Sequence, residues 1–152
     1  MRKSISVFIA ILVLVAGGAA WAATTTVAVS ANVVGTCQVT NTLGAPLVAF
    51  GQLDQVNAPL VNGTVTQPTF WCTKNTSYTI GDDLGANDVA GAYRMTNGTD
   101  FIAYTFTYTA LGPGTGKTTP ITMNIAATVP AGTYSDVSAG AYADSVLLTI
   151  NP

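Results

Sequence analysis

The amino-acid sequence predicts an all-β domain of the β-sandwich class, and three observations support this prediction. Thr, Val, Ala, Gly and Asn dominate the composition while Glu, Lys and Leu are scarce, which is typical of strands and turns. Short apolar stretches alternate with polar residues at a period of two, as in strands with one buried face. Turn residues separate six or seven such stretches, and no helical period is present. This pattern is typical of a sandwich.

The first 22 residues are predicted to be a signal peptide. Its parts are a basic pair, an apolar run and a small-residue cleavage site, at Arg2 and Lys3, Ile5–Val15 and Ala20–Ala22. The apolar run is shorter than the roughly 20 residues that span a bilayer. An uncleaved membrane anchor is the alternative, because the small residues that follow could lengthen the run. Cleavage before Ala23 would leave one domain by length.

The first predicted strand lies just after this cleavage site. Val27, Val29, Ala31 and Val33 fall on one face, and Ala28, Ser30 and Asn32 fall on the other. No hairpin partner precedes the strand, and chain ends fray unless they dock. The pattern fits both an ordinary first strand of a complete monomeric sandwich and a strand that joins the sheet of another chain.

The middle of the chain is divided by turn residues. A short strand at Leu47–Phe50 ends at Gly51, and a long loop is expected over Asp54–Gly63. Thr64–Cys72 is the next strand, in which Pro68 marks an edge or a bulge. Ser77–Ile80 is extended again before a glycine-rich turn.

The clearest alternation follows in the second half. Tyr93–Met95 is a short strand closed by an Asn-Gly turn. The next strand places Ile102, Tyr104, Phe106 and Tyr108 on one face, and a Gly/Pro loop is expected over Leu111–Pro120. The remaining strands alternate at Ile121, Met123 and Ile125, and at Val146, Leu148 and Ile150.

Cys37 and Cys72 are predicted to form one structural disulfide, because the chain is expected to leave the cytoplasm. A ring of this size would stabilise the fold by roughly 4 kcal/mol in the loop-entropy model. A zinc site is a poor alternative. The chain has no histidine and no C-x-x-C spacing, so the ligands are missing.

Charge and motifs argue against several classes of function. After cleavage, three cations (Lys74, Arg94 and Lys117) face seven Asp residues, a net charge of 3 − 7 = −4, so no basic patch could neutralise nucleic-acid phosphates. The stretch at 112–118 resembles a phosphate loop, but Leu111 stands where the motif needs glycine, and a strand follows instead of a helix.

No catalytic or metal-binding constellation is evident either. Asp82, Asp83 and Asp88 lack the alternate spacing and the terminal Glu of a calcium loop, so a solvated turn is favoured. Without histidine there is no base for a histidine-activated nucleophile. We therefore expect no enzymatic activity, no cofactor and no small-molecule substrate.

Six segments occur in a recognisable order and spacing: Val27–Val33 leading to Cys37, Phe50–Asp54, Phe70–Thr73, Arg94–Gly98, Ile102–Phe106 and Gly140–Ile150. Together they resemble the spore coat U family, the subunits of archaic chaperone-usher pili of Gram-negative bacteria. The resemblance covers essentially all of the mature chain. It implies an immunoglobulin-like β-sandwich that is incomplete because its last strand is missing, with an apolar groove left open to water.

The resemblance also implies how such a groove is filled. A periplasmic chaperone lends a strand first, and the N-terminal segment of the next subunit then replaces it. Here the donor segment would be residues 23–36, followed by the pilin-like domain at 37–152. The side chains of the donor segment that fill the neighbour's pockets would be Val27, Val29, Ala31 and Val33. The last strand, with Val146, Leu148 and Ile150, would face the chaperone.

The implied partners are copies of the chain or related pilins, a periplasmic chaperone and an outer-membrane usher. The protein would pass through the periplasm to a surface fimbria that serves adhesion and biofilm formation. A different hypothesis is a secreted coat or adhesin domain, a self-complete sandwich whose aromatic residues Tyr93, Trp71 and Tyr142 bind a sugar or another surface.

Overall fold

A computed structural model describes residues 22–40 and 48–152. Within these ranges all regular structure is β-strand. The described residues contain no helix that is long and apolar enough to cross a membrane. The predicted signal peptide lies outside the described residues except for Ala22. Leu47, the predicted start of the second strand, also lies outside them.

Thirteen short strands are present in the described ranges. They are β1 Cys37–Val39, β2 Val48–Ala49, β3 Val61–Asn62, β4 Thr64–Val65, β5 Thr69–Cys72, β6 Ser77–Asp82, β7 Arg94–Thr96, β8 Phe101–Ala103, β9 Thr105–Thr107, β10 Leu111–Pro113, β11 Ile121–Thr122, β12 Ala126–Val129 and β13 Leu148–Asn151. Strand pairing is antiparallel in every sheet they form. The sheet orders are β1-β5-β11, β10-β6-β13, β3-β12-β9, β2-β4 and β7-β8.

The sheets enclose two adjoining apolar clusters, which form the core. One is built around Ile102, Val129 and Tyr134, and the other around Phe70, Tyr78 and Ile125. Val48 and Phe106 pack against both clusters and so connect them. This all-β arrangement agrees with the predicted immunoglobulin-like β-sandwich.

The predicted disulfide is present between Cys37 and Cys72. The two residues lie directly opposite each other in the β1–β5 register. The bond therefore fastens the start of the domain to a strand whose alternate side chains, Phe70 and Cys72, are fully buried.

Several strand boundaries differ from the sequence prediction. The predicted strand Thr64–Cys72 is two strands, because the chain is interrupted at residues 66–68. Pro68 has no backbone N–H to donate. Instead, the side-chain amide of Gln67 pairs with the backbone of Ile125, accepting its N–H at 2.8 Å and donating to its carbonyl at 2.7 Å.

Four strands lie where no strand was predicted, and the first of them is β1. The loop predicted over Asp54–Gly63 contains β3, and the loop predicted over Leu111–Pro120 begins with β10. The four residues of β12, Ala-Ala-Thr-Val, were missed because their apolar residues do not alternate. β12 is nevertheless the central strand of its sheet, so its partners β3 and β9 decide its conformation more than its own pattern does.

The N-terminal part of the described chain, residues 22–32, forms a unit of its own and contains no strand. The strand predicted over Val27–Val33 is therefore not formed in the single chain. The side chains of Val27 and Val29 are 77% and 91% exposed.

Candidate functional site: an apolar cleft with two unpaired edges

A cleft of about 1370 Å³ opens into the core of the domain. One side is formed by residues 48–55 and the other by residues 137–146 and Leu148. Between them lie the buried side chains that form its floor, namely Met95, Ile102, Tyr104, Met123, Ile125 and Tyr134. The cleft is therefore an opening in the apolar core.

The alternation of β8 and β9 supplies much of this floor. Ile102 and Tyr104 are buried and Phe106 is half-buried, whereas Thr105 and Thr107 are exposed. This confirms the face assigned from the sequence. Side chains at every second position point to the same side of a strand, so the apolar ones line the cleft without interruption.

The last stretch of the chain forms one edge of the cleft, and its backbone is paired on one side only. Ala143 exchanges two hydrogen bonds with Thr96, and Ser145 accepts one from Ala86. Alternate residues of an extended chain direct their backbone groups to opposite edges. The intervening residues, Asp144 and Val146, have no backbone hydrogen bond to any other described residue.

The opposite edge has the same property. β2 pairs with β4 as far as Ala49, and the chain then continues along the cleft as Gly51, Gln52 and Leu53. Within the described ranges, these three residues form neither a strand nor a backbone hydrogen bond. Both segments therefore leave backbone groups available for pairing with an added strand.

Carboxylates hold the first of these edges in place. Asp144 accepts a hydrogen bond from the Tyr104 hydroxyl at 2.6 Å and another from the Asn87 side chain at 2.9 Å. Burial, and then the neighbouring Asp144, raise the pKa of Tyr104 well above its usual value. The hydroxyl therefore keeps its proton and remains the donor.

Asp82 and Asp83 make similar attachments from the end of β6. Asp83 accepts the backbone N–H of Leu147 at 2.9 Å and that of Gly85 at 3.0 Å, and these two donors lower the pKa of the Asp83 carboxyl. The Tyr93 hydroxyl donates to Asp82. The predicted solvated turn thus contains one carboxylate, that of Asp83, which fixes the cleft edge at Leu147.

This role was not predicted, because the donors on the cleft edge and its partners are 40 to 64 positions away along the chain. The only available signal was the set of tyrosines in neighbouring strands. Among the described residues, the acidic side chains form no group that could hold a metal ion.

The residues predicted to take part in strand exchange lie in two places. Val146, Leu148 and Ile150 are half-buried at alternate positions, and Val146 and Leu148 line the cleft. The donor residues Val27, Val29, Ala31 and Val33 are exposed. Their insertion into a cleft remains a prediction.

The aromatic residues of the alternative hypothesis do not share one cluster. Tyr93 and Tyr142 pack against the core cluster around Ile102. Trp71 lies in β5, where Lys117 approaches its ring at 6.0 Å. No common aromatic platform for a sugar ring results.

Comparisons with known proteins identify a family. A sequence profile of the Spore Coat Protein U domain matches residues 23–149. No curated protein matches the chain significantly.

One similar solved structure is the crystal structure of the CsuC–CsuE chaperone–tip adhesion subunit pre-assembly complex from archaic chaperone-usher Csu pili of Acinetobacter baumannii. It shares 19% sequence identity with a TM-score of 0.45, and the match covers 78% of this chain and 40% of that chain. The profile match extends over most of the sequence, and the chain belongs to the Spore Coat Protein U domain family.

Proposed function

We propose that this chain is a structural subunit of a surface pilus, assembled by the chaperone-usher pathway through donor-strand exchange. In this proposal a periplasmic chaperone first occupies the cleft, and residues 23–36 of the next subunit then replace it. An outer-membrane usher would pass the growing fibre to the cell surface. Adhesion and biofilm formation would be the functions of the fibre, and we assign no catalytic role to the subunit.

The observation that best supports this proposal is the cleft, with unpaired backbone on both edges and an apolar floor. An apolar groove beside unpaired backbone is the kind of site at which an extended segment adds as a strand. The donor segment has the complementary pattern, because Val27, Val29, Ala31 and Val33 recur at period two, as an inserted strand requires.

The energetics are consistent with a stable insertion. Each valine that becomes fully buried contributes about 1.5–3 kcal/mol before ordering costs. Backbone hydrogen bonds to Gly51–Leu53 on one side and to Asp144 and Val146 on the other add about 0.5–1.5 kcal/mol each. Because the contact is head-to-tail, it repeats without closing and produces an open fibre.

A deletion tests the proposal. Mature protein expressed without a chaperone should polymerise or be unstable, and deleting residues 23–33 should abolish fibres while leaving chaperone binding intact. Fibre yield would be measured by sedimentation and electron microscopy. A deletion variant that stays a stable monomer and does not bind a chaperone would contradict the proposal.

Single substitutions test the assigned face. Val29→Lys or Ala31→Lys should block polymerisation, because a charge would be placed in a dry pocket. Ser30→Lys is the matched control, since Ser30 lies on the other face and its lysine would remain in water. If all three variants gave unchanged fibre yield, the assigned face would be wrong.

A further inference from the structure

Two groups of charged residues lie at opposite ends of the domain. One end, which we call the basic end, carries Lys74 and Lys117. The other, the acidic end, carries Asp54, Asp100 and Asp136. Except for Asp100, which is half-buried, all of these residues are exposed.

The basic end surrounds the point where the domain meets its N-terminal segment. The Thr36 N–H donates to the Thr73 hydroxyl at 3.0 Å, and Lys74 is the next residue. Gly116, which precedes Lys117, donates its N–H to the Cys72 carbonyl at 3.0 Å. Both lysines therefore lie close to residues 33–36.

The packing of the 112–118 loop fixes this position. Gly114 lies so close to the carbonyl groups of Cys72 and Thr73 that an added Cβ would overlap them. The Gly114 N–H donates to the Thr76 carbonyl at 2.8 Å. The loop is thus packed against the disulfide-bonded strand, and Lys117 lies over Trp71.

The acidic end is assembled from three separate loops. The side chain of Gln55 donates to the Val137 carbonyl, which places Asp54 near Asp136. Asp100 accepts the N–H of Ser138 at 2.7 Å. The pKa of Asp54 is lowered, mainly by the Asn57 side chain and the Val56 N–H, and that of Asp100 is lowered by Ser138. Both groups are therefore ionised at neutral pH.

The cleft reaches the acidic end, and the last strand leads away from it. Asp54, Gln55, Val137 and Ser138 are part of the cleft lining. Ala143 pairs with Thr96, and Asn151 pairs with Thr79. An extended chain from Ala143 to Asn151 covers about 26 Å. The next residue, Pro152, lies against Gly35 at the basic end.

We propose that consecutive subunits make a second, electrostatic contact, in which the basic end of one copy of this chain binds the acidic end of the next. This inference rests on the proposed donor-strand function. A donor segment whose last residues lie at the acidic end of the neighbour's cleft brings its own Lys74 and Lys117 beside Asp54 and Asp136. The opposite orientation would bring the two basic ends together.

Two exposed valines lie in positions to support the same contact. Val34, beside Thr73, is 72% exposed, and Val56, two residues after Asp54, is 91% exposed.

The remaining described cation, Arg94, is engaged elsewhere, since it donates to the Asn87 carbonyl and stacks over Phe101 at 4.1 Å.

Charge reversal tests this contact on the full mature chain. Lys74→Asp with Lys117→Asp, or Asp54→Lys with Asp136→Lys, should slow polymerisation about tenfold at low salt, because steering by opposite charges raises association rates by 10-fold or more. Combining all four substitutions should restore most of the rate. Salt at about 1 M should abolish the difference, since it shortens the screening length to about 3 Å.

Asp88→Lys is the control. It changes the charge by the same amount per residue, but Asp88 lies at neither end. Carbodiimide cross-linking of mixed light and heavy-isotope subunits should join Lys74 or Lys117 to Asp54 or Asp136 of another copy. If reversals leave the rate unchanged, or the fourfold variant is slower than both doubles, the contact is refuted. If the wild-type chain is a stable monomer that does not polymerise, or if deleting residues 23–33 leaves polymerisation unchanged, the proposed function fails as well.

Discussion

At the residue scale, two aspartates hold the cleft edge. Asp83 accepts the Leu147 N–H, and Asp144 accepts hydrogen bonds from Tyr104 and Asn87. A carboxylate that accepts several N–H donors favours its charged form. Asp83 shows this effect, because the N–H groups of Leu147 and Gly85 lower the pKa of its carboxyl.

This gives a pH prediction for Asp83. Its pKa in the folded chain lies below the ordinary value of 3.8, so its stabilisation is fully present above that value and is lost as the pH falls through the folded pKa. The melting temperature should be nearly constant from about pH 7 to 5 and fall below about pH 4.

Asp83→Asn should melt at a lower temperature at pH 7 and show a shallower decline in acid. Circular dichroism melts of the two chains across this range provide the measurement. Identical acid slopes for variant and wild type would show that Asp83 does not make this contribution.

At the element scale, the stretch Ala143–Val146 before β13 is held by side chains from other elements, and its backbone is paired on one side only. Tyr104 reaches Asp144 from its position between β8 and β9, and Asn87 reaches it from the loop after β6. The cleft edge is therefore positioned by β6 and β8, so its geometry should respond to changes in those elements.

Tyr104→Phe tests this dependence. Removing a hydrogen bond to a charged group should lower the free energy of unfolding by about 1.5–3 kcal/mol. The matched control is Tyr142→Phe. The Tyr142 hydroxyl donates to the neutral Ser138 carbonyl, so its removal should lower the free energy of unfolding by about 1 kcal/mol or less. Denaturant titration compares them, and equal losses would argue against a special role for the Asp144 attachment.

The success of sequence prediction also differs from element to element. The alternation from Ile102 to Tyr108 was predicted correctly because local pattern and tertiary burial agree there. β12 and β10 were missed because Ala-Ala-Thr-Val and Leu-Gly-Pro have no alternation of their own, and their pairing partners decide their structure. The attachments of Asp83 to Leu147 and of Asp144 to Tyr104 and Asn87 join residues 40 to 64 positions apart, so no local signal could show them.

At the scale of the whole molecule, the domain has an open apolar cleft, and the chain has a segment with the pattern of a strand. The family resemblance predicted an open groove, whereas composition and periodicity predicted only a sandwich. That this segment fills the groove of a neighbour stays a prediction. The disulfide separates the two parts, because residues after Cys37 are fixed to their own domain. Residues 22–33 form no strand, and in the proposed fibre they would serve a neighbour.

Amide hydrogen exchange in monomer and polymer tests the central claim most directly. If residues 23–36 of one copy fill the cleft of another, amides of the donor segment, of Gly51–Leu53 and of Asp144 and Val146 should exchange rapidly in the monomer and at least about tenfold more slowly in the polymer. Exchange at Tyr78 and Ile80, within β6, should change little. Unchanged exchange at both cleft edges and in the donor segment after polymerisation would contradict the account.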